Sequence, residues 1–176
     1  MHSLAELKKA IIQETKKIWV DEPDDVKAIR HGFFPSGAGV YDQYFSVLVM
    51  LGSETRNLSI HTFSSLIDFS RSDKFDLDQL KYMTGEMLRV TNGVLAYFGL
   101  KKLGEIISSF ISLLEDIQDK NEYETLVEDL FTLSNRYQMW LYQTFPWHLS
   151  VFFPKNDKGK VEENQAVLKN LNVSDF

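Results

Sequence analysis

The sequence predicts an all-α fold: a single helical bundle of five to six helices followed by a mobile C-terminal tail. Three observations predict it. Apolar residues recur at three- and four-residue intervals across most of residues 3–153, the spacing of a buried helix face. No stretch alternates apolar and polar residues for long, and β-branched runs are short. Pairs such as Ser3/Glu6, Asp76/Gln79 and Asn121/Glu124 have the three-residue offset of a capping box. A chain of 176 residues suits one domain. Its boundaries are expected at 3–153, with a flexible polar tail over 154–176.

The first helix starts at Ser3, and Leu4, Leu7, Ile11, Ile18 and Trp19 form its apolar stripe. Asp21-Glu22-Pro23 ends it, because proline cannot continue a helix and restricts the residue before it. A short helix from Pro23 to Arg30 follows. Asp24 and Asp25 suit its positive end and Gly32 is placed to stop it. Tyr41 to about Arg71 carries a long helical pattern, either one helix or two broken near Gly52 to Asn57. The next helix runs from Asp76 to Phe98 with Gly99 as its stop, and another from Lys101 to about Gln118. Asn121 with Glu124 is expected to cap the last long helix, which continues through Leu126, Leu130, Leu133, Tyr137 and Leu141 to Phe145. Pro146 ends it. Residues from Pro154 onward carry four bases and four acids with few apolar positions, hence the expected tail.

Composition excludes several classes of function. There is no cysteine, so a disulfide framework, a thiolate metal site and a Cys nucleophile are ruled out. The formal charge of −6 lacks the basic patch that nucleic acid or an acidic membrane requires. Lys8-Lys9, Lys16-Lys17 and Lys101-Lys102 read as solvated faces. No apolar run reaches the roughly 20 residues of a membrane span. The N-terminus lacks a secretory pattern, so a cytoplasmic location is expected.

The unusual stretch is Arg30 to Tyr41, which packs three of nine glycines into eight positions. Gly32 and Gly37 have P-loop spacing, but Ala38 and Gly39 stand where Lys and Ser/Thr are needed. Asp42 stands where a dinucleotide fingerprint needs its third glycine. Two readings remain. The loop is a tight helix-to-helix crossover, the favoured one, or it is the rim of an anion pocket built from backbone N–H groups at a helix start. The pocket would draw on Arg30, His31, Ser36, Gly37, Gly39, Tyr41 and Tyr44. Arg56 falls on the apolar stripe Phe45, Val49, Gly52, Ile60, Phe63 and Ile67. It either clamps a ligand carboxylate or, the favoured reading, pairs internally with an acid such as Glu14 or Glu86 or carries its charge outward along a snorkelling stem.

His2, His31, His61 and His148 are far apart and no Glu-x-x-His pair exists, so no metal site is expected. Glu54, Asn57, His61 and Asp68 share a face read as solvated, and Ser64-Ser65 has no nucleophile elbow. Tyr137, Trp140, Tyr142, Phe145, Trp147, His148, Phe152 and Phe153 form an aromatic cluster, read as core closing one end of the bundle rather than as an exposed interface.

Lys17-Ile18-Trp19, Pro23, Val26, Ile29-Arg30, Gly32, Ser36-Gly37-Ala38-Gly39, Tyr41, Gln43-Tyr44-Phe45, Leu48 and Arg56 carry a family likeness. Over residues 17–56 the chain resembles the helical-bundle domain at the C-terminus of cucumopine-synthase-like proteins, with Phe145-Pro146-Trp147 as an echo. In that family the condensing chemistry is associated with an N-terminal cyclophilin-like β domain. The resemblance therefore implies a helical module without the catalytic partner, and no catalytic residue carries over. The expected function is a non-catalytic binding or accessory module, with no cofactor and no catalytic or metal residue. The alternative is a small-molecule enzyme or sensor binding a carboxylate or phosphate near Arg56 and Gly37 to Gly39. The expected partners are a small anionic ligand or a protein, and self-association is left open.

Overall fold

A computed structural model describes residues 1–33, 61–97 and 99–144. These residues form helices joined by short connections, with no strand among them. The expected all-α bundle is therefore what the chain builds. The tail from 154, the glycine-rich stretch beyond Phe33 and the question of one helix or two near Gly52 lie outside the described residues.

Helix α1 spans Leu4–Val20. Ser3 caps it, its hydroxyl accepting the Glu6 N–H at 3.2 Å. The return bond lands one residue early: the Glu6 carboxylate accepts the His2 N–H at 2.7 Å. Leu7, Ile11 and Ile18 are buried, as their spacing requires. Trp19 is not, contrary to expectation; it is 60% exposed because it lies one position round from Ile18, off the buried stripe. Asp21 is extended and ends the helix ahead of Pro23.

Helix α2 spans Asp24–Phe33, and the Pro23 carbonyl accepts the Lys27 N–H at 3.0 Å. It runs past Arg30 and through Gly32, where a stop was expected. A glycine ends a helix when it adopts the left-handed conformation; in helical backbone it merely weakens the turn. Residues 61–71 are helical and form the described part of α3. Phe63, Leu66 and Ile67 are buried, and the Phe63 ring stacks on Phe131 at 6.0 Å between centroids. Arg71 bridges to Glu124 and Glu128 at 2.8 and 2.5 Å.

Helix α4, Leu77–Tyr97, opens with a reciprocal capping box. The Asp76 N–H donates to Gln79 at 3.0 Å and the Gln79 N–H donates to Asp76 at 2.8 Å. It closes at Gly99, whose φ of 91° is the left-handed stop that glycine permits, with the Leu100 N–H returning to the Leu95 carbonyl at 2.9 Å. Helix α5 then covers Lys101–Ser112. It stops six residues short of Gln118; a 3₁₀ turn at Leu114–Asp116 and an extended Ile117 follow. The turn buries Leu113, Leu114 and Ile117 together while reversing the chain toward α6, which a straight helix would not do.

Helix α6 spans Lys120–Thr144. Its cap is Asp119, not Asn121: the Asp119 carboxylate accepts the Glu122 N–H at 2.8 Å. Asp119 lies directly after the extended segment, so its carboxylate meets the first free N–H groups. α4 packs on α5, α1 on α6, and α5 on both α1 and α6. The core includes Phe110, Tyr123, Leu126, Leu130 and Tyr137. Gly104 lies against Asn92 of α4: a Cβ there would stand 2.9 Å from Asn92 Oδ1, the end of a side chain that would have to turn aside. Two pairs of buried hydroxyls join across helices: Thr84 with the Tyr123 hydroxyl at 2.6 Å, and Thr62 with Thr91 at 3.0 Å.

Candidate functional site

One group of polar contacts lies where α1 and the starts of α2 and α5 meet α6. Glu14 on α1 accepts a hydrogen bond from the buried Tyr137 hydroxyl at 2.7 Å. Burial pushes the Tyr137 hydroxyl well above its ordinary value, and Glu14, Asp25 and Asp24 push it the same way. Tyr137 is thus held as a neutral donor.

Asp25 has a second role. α5 is preceded by Leu100, which offers no side-chain cap, and its first turn holds no acid. Asp25 on α2 fills that place, its carboxylate accepting the Lys102 N–H at 2.7 Å. The start of one helix is capped by another.

Arg136 closes the end of α1. Its guanidinium donates to the Ile18 carbonyl at 3.1 Å and the Trp19 carbonyl at 2.6 Å, two acceptors a helix C-terminus leaves open. It lies 4.6 Å from the Trp19 ring centroid and 5.2 Å from that of Trp140. Trp140 adds an Nε1–H bond to the Ile18 carbonyl at 2.5 Å. The expected aromatic closure of the bundle end is visible in Tyr137 and Trp140; Tyr142 lies in α6, and Phe145, Trp147, His148, Phe152 and Phe153 lie outside the described residues.

Of the residues singled out for an anion site, Arg30 and His31 fall on the last turns of α2, which packs on α6. Ser36, Gly37, Gly39, Tyr41, Tyr44 and Arg56 lie outside the described residues. Glu14 bonds Tyr137, and the Glu86 carboxylate accepts Arg89 at 3.0 Å. Glu54 and Asn57 also lie outside; His61 and Asp68 are exposed, as a solvated face requires. Among the described residues no group of three or more His, Asp or Glu could hold a metal, and no helix is long and apolar enough to cross a membrane.

Sequence reasoning missed Arg136 and the Asp25 cap. Each bond joins residues far apart in the chain, 118 positions for Arg136 to Ile18 and 77 for Lys102 to Asp25, so no local pattern announces them. The one available hint was Arg136 itself, a guanidinium beside the buried stripe of α6.

The model of the cucumopine synthase C-terminal helical bundle domain matches residues 4–144. A solved structure, McbB in complex with tryptophan, is similar with a TM-score of 0.70 and 30% identity. The match covers 84% of this chain and 48% of that one, so the chain spans about half the length of its structural relative. No curated protein matches.

Proposed function

The chain belongs to the cucumopine synthase C-terminal helical bundle family, and from that premise we propose that it works in the cytoplasm as a non-catalytic binding or accessory module. One observation carries this reading. At the bundle end, the groups best suited to chemistry are committed to holding helices together. Tyr137 donates to Glu14, Asp25 caps α5, and Arg136 bonds two α1 carbonyls. Each already has a structural partner, so none stands free to act as a nucleophile or base. The module's contribution is then to fix the start of α2, the helix that carries Arg30 and His31 toward the glycine-rich stretch.

A second reading rests on the bound tryptophan of McbB, a ligand with a carboxylate. A ligand carboxylate of that kind suits Arg56, assisted by Arg30, His31, Ser36, Tyr41 and Tyr44 and by backbone N–H groups from Gly37 to Gly39. Thermal-shift titration with L-tryptophan, other carboxylates and phosphate tests for binding, and product analysis separates the two readings. A ligand that binds only the folded chain raises the midpoint. The accessory reading expects at most binding, with no new product by mass spectrometry. A product that forms with the wild-type chain and vanishes in Arg56→Ala overturns it.

A further inference from the structure

Helix α1 carries apolar residues on two faces. Leu7, Ile11 and Ile18 enter the core. Ile12, Trp19 and Val20 do not: they are 49%, 60% and 76% exposed. Ile12 and Trp19 stand two turns apart on one side of the helix, and Val20 flanks them. Single exposed apolar residues are ordinary. Here three of the six large ones among the described residues gather on one helix.

Trp19 is also held in place. The Arg136 guanidinium lies over its ring at 4.6 Å from the centroid, and is itself fixed by the Ile18 and Trp19 carbonyls. An aromatic side chain already ordered loses little freedom when a partner covers its remaining area.

Lysines interleave with these apolar residues. Lys9, Ile12, Lys16 and Trp19 follow one another along the same row of α1, and both lysines are exposed. Their chain neighbours Lys8 and Lys17 reach Glu122 at 2.6 Å and Asp24 at 3.7 Å. Lys9 and Lys16 form no ion pair among the described residues. One turn to either side of Lys16 stand Ile12, Gln13, Trp19 and Val20, none of them an acid. Glu6, one turn before Lys9, accepts the His2 N–H at 2.7 Å. Two unpaired cations fall short of the basic patch that a phosphate backbone or an acidic membrane calls for. They match carboxylates set two helical turns apart, about 10 Å.

We propose that this outer face of α1 docks an acidic amphipathic helix of a partner protein. The partner's apolar stripe lies on Ile12, Trp19 and Val20, and its carboxylates stand opposite Lys9 and Lys16. The surface is built by α1 and Arg136 alone, so it stands whatever role Arg56 has.

The test is fluorescence anisotropy of a labelled three-heptad peptide, repeat Glu-Leu-Ala-Ala-Leu-Glu-Gln, titrated with the full chain. Saturable binding is expected with a Kd of about 10–100 µM, weakening severalfold as sodium chloride rises from about 50 to about 300 mM. Lys9→Glu combined with Lys16→Glu is expected to weaken binding at least about tenfold. The same peptide with Lys for Glu is expected to bind that variant better than it binds the wild type. Ile12→Ser, which leaves the Trp19–Arg136 contact intact, is expected to weaken binding about fivefold with the melting temperature unchanged. Binding absent at about 1 mM protein overturns the proposal, as does affinity unchanged in the double charge reversal or in Ile12→Ser. Two other results overturn it by giving the face another occupant. One is co-sedimentation with phosphatidylcholine–phosphatidylglycerol vesicles that Ile12→Ser abolishes. The other is a dimer in light scattering that the same substitution dissociates.

Discussion

Replacing Asp25 with alanine tests whether one helix caps another in this fold. The carboxylate accepts the Lys102 N–H at 2.7 Å, at the start of a helix with no cap and no first-turn acid of its own. Losing an N-cap acceptor costs about 0.5–2 kcal/mol. Losing the negative charge at the positive end of α5 adds about 0.3–1 kcal/mol. Together these give about 2 kcal/mol, or a melting temperature lower by about 4–8 °C for a chain of this size. Asp25 is also an acid in the first turn of α2, so its loss weakens that helix too. Asp24→Ala is the control. It shares that first turn, but its side chain is 82% exposed and its contacts to Lys17 and Lys27 are long, 3.7 and 3.8 Å. Such surface pairs contribute about 0–1 kcal/mol. Urea unfolding followed by circular dichroism reads the difference directly. Asp25→Asn, which keeps an acceptor and drops the charge, is expected between the two. If Asp25→Ala and Asp24→Ala agree within about 0.5 kcal/mol, the cross-helix cap contributes nothing measurable and the reasoning fails.

Two further outcomes are expected. Arg136→Lys keeps the charge but loses the planar fork that spans the Ile18 and Trp19 carbonyls, so it is expected to destabilise by about 1–2 kcal/mol in the same assay; a change below about 0.3 kcal/mol would show that any cation there suffices. Asp129→Asn is expected to raise the melting temperature at pH 7. Burial, with Glu128 beside it, holds the Asp129 carboxyl above its ordinary 3.8. A raised carboxyl favours folding most below that value and loses the benefit as pH rises, so the gain from asparagine should fade when the melting curves are repeated at about pH 3.

Much of the fold was legible along the chain because helix formation is local. The period of Leu7, Ile11 and Ile18, the Asp76/Gln79 box and the Gly99 stop each involve residues within one or two turns. The errors came where local signals tie. Asn121 and Asp119 are both good caps, and the extended Ile117 ahead of Asp119 decided between them. Gly32 suits a stop or a helical position equally, and α2 uses the second.

The site was less legible. The sequence alone determined the helical class, the family likeness near Arg30 to Arg56 and the exclusion of cysteine chemistry, because these depend on composition and short-range pattern. Tertiary structure decided that Asp25 serves α5 and that Arg136 closes α1. A hydrogen bond between residues 77 or 118 positions apart exists only after helices pack, and packing depends on the whole set of buried faces rather than on any one of them.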